Sequence, residues 1–269
     1  MSKVPLAIRK ILIDARETFL PRLCTICGKR LMRDENVVCL ECISTFEHTC
    51  WRGRSGNGAE RIFWEKIPIV RANATLHYNR ATNAAEALFA LKYHSQERLG
   101  AHLGRLMAHD LDDTDFFCGI DAIVPIPLSK QRQRQRGYNQ SERLAQGISN
   151  VTGIPIRCDI VERFKDNESQ TRVLPHQRED NVRGIFRVCT KEDLSSKHLL
   201  IVDDVLTTGS TIMSCGKTLT EAGCKALSVL TLFVAGRKPE GPYAYEDEDD
   251  NVETLRHKYI HSPRPPKQC

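Results

Sequence analysis

The strongest constraint on the fold is an uninterrupted apolar run, Leu-Leu-Ile-Val at 199–202, that ends on two adjacent acids, Asp203 and Asp204. A run without polar alternation is typical of a strand buried on both faces, as in a parallel sheet covered by helices. In such sheets the ligand crevice lies beyond the carboxyl ends of the strands. We therefore expect the two acids at the rim of a sheet, next to a ligand.

Strand patterns alternate with helix patterns along most of the chain. This alternation predicts an α/β fold with a parallel sheet and helices on both faces. Pro125 and Pro127 end one of the strands, because proline cannot continue the ladder of a central strand. Strand composition occurs at 67–78, 121–127, 154–161, 197–204 and 225–235, and helical spacing at 83–94, 98–111, 139–151 and 211–224.

A loop rich in hydroxyl groups follows the two acids and opens the next helix. N–H groups at a helix N-terminus favour an anion, hydroxyls add donors, and carboxylates accept hydrogen bonds from a vicinal diol. Acids and loop together therefore predict a sugar-phosphate site, whereas Walker A and dinucleotide glycine spacings are absent. The alternative is a capped helix start in an ordinary α/β protein. The loop residues are Thr207, Thr208, Gly209, Ser210 and Thr211.

Two Cys-x-x-Cys pairs near the N-terminus predict a metal site. The paired cysteines are Cys24 with Cys27 and Cys39 with Cys42, separated by eleven residues. Two such knuckles supply the four thiolates of a tetrahedral zinc site, and a filled site leaves no place for water, so we predict a structural zinc. The alternative is two buried or redox-active pairs. His48 and Cys50 lie nearby as further potential ligands.

Length and composition favour a globular core domain with a small accessory module. The chain has 269 residues, of which 41% are hydrophobic and 27% charged, in the range of ordinary globular proteins. No segment is apolar for the roughly 18 residues of a membrane span. Charged residues interrupt the aliphatic ones within 1–20, so we expect an amphipathic helix there, not a secretory signal, and a cytoplasmic protein.

The expected domain boundary lies near residue 65. It follows a glycine-rich polar segment, 51–61, that has the composition of a linker. Residues 1–65 are predicted to hold the N-terminal helix and the four-cysteine module, and residues 66–238 the sheet domain. Residues 239–269 carry prolines and an acidic run and are predicted to be a disordered tail.

In their order along the chain, these motifs resemble the ComF family (competence protein F and its GntX-like relatives) of type I phosphoribosyltransferase-like proteins. The resemblance rests on Val-Pro-Ile-Pro at 124–127, Arg-Gly-Tyr-Asn-Gln at 136–140, the segment SQTRVLPHQREDNVRGIF at 169–186 and the acid pair with its loop. The four-cysteine module precedes them. The similarity covers residues from about 20 to 236.

The resemblance implies a type I phosphoribosyltransferase fold, phosphoribosyl pyrophosphate (PRPP) as sugar donor, and Mg²⁺ bridging the pyrophosphate and hydroxyls of PRPP. Asp203 and Asp204, the expected catalytic residues, would bind the ribose 2′ and 3′ hydroxyls, and Thr207 to Thr211 would hold the 5′-phosphate. Residues Val124 to Leu128 would form the pyrophosphate loop, and about Phe164 to Arg183 a flexible loop. The motif positions assigned to these two loops are Arg136, Asn139, Gln140, Gln170, Arg178 and Asn181.

Two functions are compatible with this pattern. One is a phosphoribosyltransferase with an unidentified acceptor, and the other a non-catalytic PRPP-sensing or DNA-uptake protein that binds single-stranded DNA or the competence machinery. The basic run KQRQRQR at 130–136 fits either, and Tyr138 is the only aromatic residue close to it in sequence. His94 and Ser95 stand where the family often has glycine, which leaves Lys92 without an assigned role.

Overall fold

The computed structural model describes residues 21–93, 96–164 and 184–236. The predicted N-terminal helix at 1–20 and the predicted tail at 239–269 lie outside these ranges. None of the helices within them is long and apolar enough to cross a bilayer. The described helices are α1 (Leu40–Ser44), α2 (Gly58–Phe63), α3 (Asn83–Tyr93), α4 (Glu97–His109), α5 (Lys130–Arg136), α6 (Gln140–Thr152) and α7 (Ser210–Glu221), and the strands are β1 (Arg71–His77), β2 (Ala122–Pro125), β3 (Val161–Arg163), β4 (Phe186–Val188), β5 (His198–Leu206) and β6 (Ala226–Val234).

Four strands form a parallel sheet in the order β1-β6-β5-β2. The strand that carries the acids, β5, is central: Leu200 pairs with Ile123 of β2 on one side and with Ser228 of β6 on the other. The predicted parallel sheet is confirmed. Because all four strands point the same way, the end of β5 and the end of β2 lie at one edge of the sheet.

Two hydrophobic clusters cover the two faces of this sheet. One joins Leu200 and Val202 of β5 to α3, α4 and α6, and the other joins Leu199 and Ile201 to α2 and α7. Successive side chains of a strand point to opposite faces, so the apolar run supplies both clusters. All four side chains are at most 1% exposed, as expected of a strand buried on both faces.

The four-cysteine segment packs on the first of these faces. Leu31 and Ile43 belong to the same hydrophobic cluster as Leu91 of α3. Further along, the Thr49 hydroxyl donates a hydrogen bond of 2.6 Å to the carbonyl of Ala74 in β1. Residues before and after position 65 therefore share a core, and the division into units at 1–65 and 66–238 stays a prediction.

The predicted linker at 51–61 is wrong, because this segment packs against β1 and contains the start of α2. Asn57 caps the helix by accepting hydrogen bonds from two N–H groups of its first turn, and its amide donates to the Ala72 carbonyl at 2.7 Å. Trp51 is 8% exposed and so close to Gly58 that a Cβ there would lie 2.7 Å from its ring. The glycine that suggested a flexible linker is required by close packing.

The strand predicted at 154–161 also differs from the observed one. Ile156 makes a single bridge to Ile123 of β2, and strand β3 begins only at Val161. It pairs antiparallel with β4 in a separate two-stranded ribbon. The ribbon joins the two ends of the predicted flexible loop, whose residues 165–183 lie outside the described ranges.

Candidate functional site

The acid pair lies near the end of β5, where two elements hold Asp203. Its Oδ1 accepts a hydrogen bond of 2.9 Å from the Ser141 hydroxyl in the first turn of α6 and another of 2.9 Å from the N–H of Asp204. Burial, and next the charge of Asp204, raise the pKa of Asp203 from 3.8 to about 7. The protein therefore holds two acids side by side at the crevice edge of the sheet, where burial and mutual repulsion disfavour ionisation of both.

Lys92 balances the second acid. Its Nζ lies 3.3 Å from Oδ2 of Asp204, and the two side chains are 25% and 15% exposed. The lysine belongs to the last turn of α3, which is tied to the α5–α6 connection because the Tyr138 hydroxyl donates to the carbonyl of Leu91. The structure thus gives Lys92 a place in the site.

The hydroxyl loop joins β5 to α7 as predicted. Gly209 adopts a left-handed conformation with φ of 74° immediately before the helix, and a Cβ there would lie 2.8 Å from Ile62 and 2.9 Å from Phe63. Close packing and the left-handed backbone therefore both favour glycine at this position. As the N-cap residue it has no side chain to cap α7, and uncapped amides at a helix start suit an anion. Thr207 and Thr208 are exposed, and the Thr208 hydroxyl donates to that of Ser210 at 3.3 Å.

The segment after β2 is fastened to the same site by Asn139. Its side-chain N–H donates to the Ile126 carbonyl at 3.0 Å, while its Oδ1 accepts from the N–H of Ser141 at 3.1 Å. Asn139 is the N-cap of α6, so one side chain links the predicted pyrophosphate loop to the helix that holds Asp203. That Asn139 contributes to a pyrophosphate site stays a prediction. Its observed contacts hold the segment after β2 against α6.

The remaining predicted residues divide into two groups. Gln140 is 1% exposed, and its Nε2 has no hydrogen-bond partner among the described residues. Arg136 ends α5 with its guanidinium carbon 5.7 Å from the ring centroid of Tyr93, next to Lys92 in sequence. Gln140 directly precedes Ser141, which contacts Asp203, whereas Arg136 contacts the neighbour of Lys92. Gln170, Arg178 and Asn181 lie outside the described residues.

Sequence reasoning missed two contacts of the acid pair. Ser141 follows the RGYNQ motif directly, and the capping residue Asn139 two positions before it was a signal that its hydroxyl lies in the first turn of a helix. Lys92 had no local signal, because its contact with Asp204 spans more than a hundred residues of chain.

The four predicted metal ligands lie together. The sulfur atoms of Cys24, Cys27, Cys39 and Cys42 are all within 4.8 Å of one another, with 3.9 Å between Cys24 and Cys42 and 3.6 Å between Cys27 and Cys39. Four sulfurs about 2.3 Å from a tetrahedral ion would be about 3.8 Å apart. The cluster therefore has the dimensions of a metal site.

Backbone and carboxylate contacts hold the two knuckles in place. The N–H of Cys39 donates to the Cys24 sulfur at 3.3 Å, and Gly28 turns the first knuckle with φ of 71°. The Glu35 carboxylate accepts from the N–H groups of Met32 and Leu40, each at 2.7 Å. The Glu35 side chain thus joins the two ends of the loop between the knuckles.

His48 and Cys50, the two nearby residues expected as potential further ligands, do not join this cluster. Within the described chain, the metal-sized group contains the four cysteines and neither His48 nor Cys50. Nδ1 of His48 lies 3.6 Å from Oδ1 of Asp110 instead.

The raised pKa of Asp203 predicts a pH-dependent stability. Below about pH 4 this residue is protonated in both folded and unfolded chains; between pH 4 and 7 it ionises only in the unfolded chain, so the folded state loses stability as pH rises through this window. Asp203→Asn should raise the free energy of unfolding at pH 8 by about 1–3 kcal/mol. Denaturant unfolding at several pH values measures this, with Asp112→Asn as the control. A pH profile of Asp203→Asn parallel to that of the unmodified protein contradicts it.

Comparisons with known proteins identify relatives of this chain. A family model described as "Phosphoribosyl transferase domain" matches residues 92–267. Competence protein F of Haemophilus influenzae is 31% identical over 170 residues, 62% of this chain and 71% of that protein. The DNA utilization protein YhgH of Escherichia coli K12 is 26% identical over 213 residues, 78% of this chain and 89% of that protein.

Similar solved structures include the hypoxanthine phosphoribosyl transferase of Trypanosoma cruzi. It is 14% identical, with a TM-score of 0.35, and the match covers 56% of this chain and 72% of that one. The family match and the competence protein relative confirm the resemblance drawn from the motifs. The chain belongs to the family of competence protein F and YhgH and carries a phosphoribosyl transferase domain.

Proposed function

We propose that this protein binds PRPP with Mg²⁺ and transfers its phosphoribosyl group to an acceptor, releasing pyrophosphate. The observation that carries the proposal is the arrangement at the end of β5. Two carboxylates suited to a ribose diol stand directly before a hydroxyl loop and the open amides of α7, which suit the 5′-phosphate. The membership of the phosphoribosyl transferase domain family supports the same donor.

The charges of the site suit the chemistry of this transfer. As the bond from C1′ to pyrophosphate breaks, positive charge develops on the sugar, and carboxylates beside the ring stabilise it. Oxygen ligands suit Mg²⁺, so oxygens of PRPP beside Asp203 and Asp204 would hold the ion. When bound, it would supply positive charge that favours the leaving pyrophosphate.

Ser141 and Lys92 would act as positioning residues. The Ser141 hydroxyl fixes the orientation of the Asp203 carboxylate, and the ammonium group of Lys92 compensates the charge of Asp204. A ribose hydroxyl that donates to Asp204 would share this carboxylate with Lys92.

The acid pair provides the direct test. Asp203→Asn combined with Asp204→Asn should weaken PRPP binding by about 100-fold or more, because hydrogen bonds to charged groups contribute about 1.5–3 kcal/mol each. Calorimetric titration of PRPP in the presence of Mg²⁺ measures the affinity. A second adjacent acid pair provides the control, since Asp112→Asn with Asp113→Asn should leave the affinity unchanged. Equal PRPP affinity in the two double variants would refute the assignment.

We propose further that the four cysteines hold a structural zinc. Four thiolates fill the tetrahedral shell, and three of the four side chains are buried, which leaves no open position for catalysis. Since Leu31 and Ile43 of this module share a cluster with α3, the zinc would also support the helix that carries Lys92.

Cys24→Ser should reduce the zinc content of the purified protein well below one ion per chain. It should also lower the midpoint of thermal unfolding, because binding of zinc contributes directly to folding. Cys50→Ser, which changes a cysteine outside the cluster, should retain full zinc. Elemental analysis and thermal unfolding of the two variants make the comparison, and a full zinc complement in Cys24→Ser would contradict the proposal.

A second candidate function is binding of single-stranded DNA without catalysis. The structure places exposed aromatic rings next to the basic helix: Phe89 is 55% and Tyr93 62% exposed, and Arg136 of α5 stacks on Tyr93. Bases stack on such rings while cations follow the backbone. Tyr138, the aromatic residue nearest to the basic run in sequence, is 4% exposed and takes no part. The names of the relatives, a competence protein and a DNA utilization protein, favour this candidate.

This candidate predicts salt-dependent binding of oligothymidylate. Arg132→Gln with Arg134→Gln should weaken binding and reduce the salt slope by about one for each phosphate contact removed. Lys191→Gln with Lys217→Gln removes the same charge elsewhere and should have little effect. Fluorescence anisotropy across a salt series provides the measurement. Absence of oligothymidylate binding at low salt eliminates the candidate.

A further inference from the structure

A cavity of about 740 Å³ lies between the first cysteine knuckle, residues 24–28, and helix α3. Thr25, Ile26 and Gly28 form one wall, and residues of α3 form the other. Its volume is within the range of about 300–1,000 Å³ that is common for small-molecule sites. The knuckle wall is held rigidly, since the N–H of Thr25 donates to the carbonyl of Val37 at 2.9 Å.

The α3 wall is aromatic. Phe89 and Tyr93 are one helical turn apart, so both lie on the same side of the helix, and their ring centroids are 5.0 Å apart at an angle of 40°. Both rings are more than half exposed, although large apolar side chains are usually covered. Arg136 lies over one face of Tyr93, so Phe89 and the other face of Tyr93 are the surfaces left for stacking, with Tyr78 also in the lining.

The cavity is connected to the acid pair by a single side chain. Lys92 lines the cavity, and its Nζ lies 3.3 Å from Asp204. The cavity and the end of β5 are therefore separated by no more than the length of one lysine side chain. A ligand in the cavity would be close to a sugar whose hydroxyls contact the two acids.

We propose that this cavity binds the acceptor and that the acceptor is a planar nitrogen heterocycle of nucleobase size. This inference rests on the proposed transferase function and adds the acceptor site to it. The aromatic wall stacks on the ring, and Lys92 donates to a ring carbonyl or nitrogen. The zinc module, whose ligand Cys24 lines the cavity, forms part of the acceptor site.

The transfer balances with such an acceptor. A ring nitrogen forms a bond to C1′ while the C1′–oxygen bond breaks, and pyrophosphate leaves with the electron pair. The proton of the ring N–H passes to water.

Saturation-transfer NMR on the full-length, zinc-loaded protein tests the proposal with adenine, hypoxanthine, cytosine and uracil as probes. At least one base should receive saturation, and its signal should fall at least fivefold in Phe89→Ala, which removes a stacking face. Ala85→Trp should reduce it equally, because it fills the cavity and removes no existing contact. Trp64→Ala, which removes an exposed ring next to α2 on the other face of the sheet, should leave it unchanged.

The proposal is overturned if no base receives saturation, or if the signal persists in either Phe89→Ala or Ala85→Trp. Calorimetric titration of PRPP on the same samples separates this failure from failure of the transferase function. PRPP binding depends on the acid pair, so the cavity variants should retain it. If PRPP binds but no base does, the acceptor proposal fails and the donor site stands; if PRPP does not bind, the transferase function itself fails.

Discussion

Two neighbouring carboxylates near the end of a buried central strand repel each other, and the surrounding elements supply the groups that stabilise them. Ionised acids this close repel each other, and burial adds a desolvation cost. The first turn of α6 contributes the Ser141 hydroxyl to Asp203, and the last turn of α3 contributes the ammonium of Lys92 to Asp204. Ionisable groups with perturbed pKa values are concentrated at functional sites, which supports the proposed role of this pair in binding hydroxyl donors.

The four-cysteine module packs against the helices that hold the acid pair. Its apolar residues share one hydrophobic cluster with α3, α4 and α6, and its first knuckle faces the aromatic side of α3 across a cavity. A metal that fixes the knuckle would therefore also fix one wall of that cavity. In this account the module connects stability to function, because the helix it supports carries Lys92 to the acid pair.

The elements near the acids were predictable because their signals are local. The apolar run of β5, the hydroxyl loop and the cysteine spacing each fit within about twenty residues, and the sheet and the cysteine cluster are as predicted. The contacts of Lys92 and Ser141 were not predictable, since they depend on how α3 and α6 pack against β5. Local signals also misled: the glycines at 51–61 suggested a linker, whereas Gly58 makes room for the ring of Trp51. The aromatic rings beside the basic helix come from α3, far from that helix in sequence.

The central claim is that the end of β5 and the start of α7 bind PRPP, and a crystal structure of the zinc-loaded protein with PRPP and Mg²⁺ tests it most directly. We predict that the ribose hydroxyls lie within hydrogen-bond distance of Asp203 and Asp204, with the 5′-phosphate on the amides and hydroxyls of Thr207 to Thr211. PRPP bound elsewhere, with the acid pair still occupied only by Ser141 and Lys92, would contradict the account.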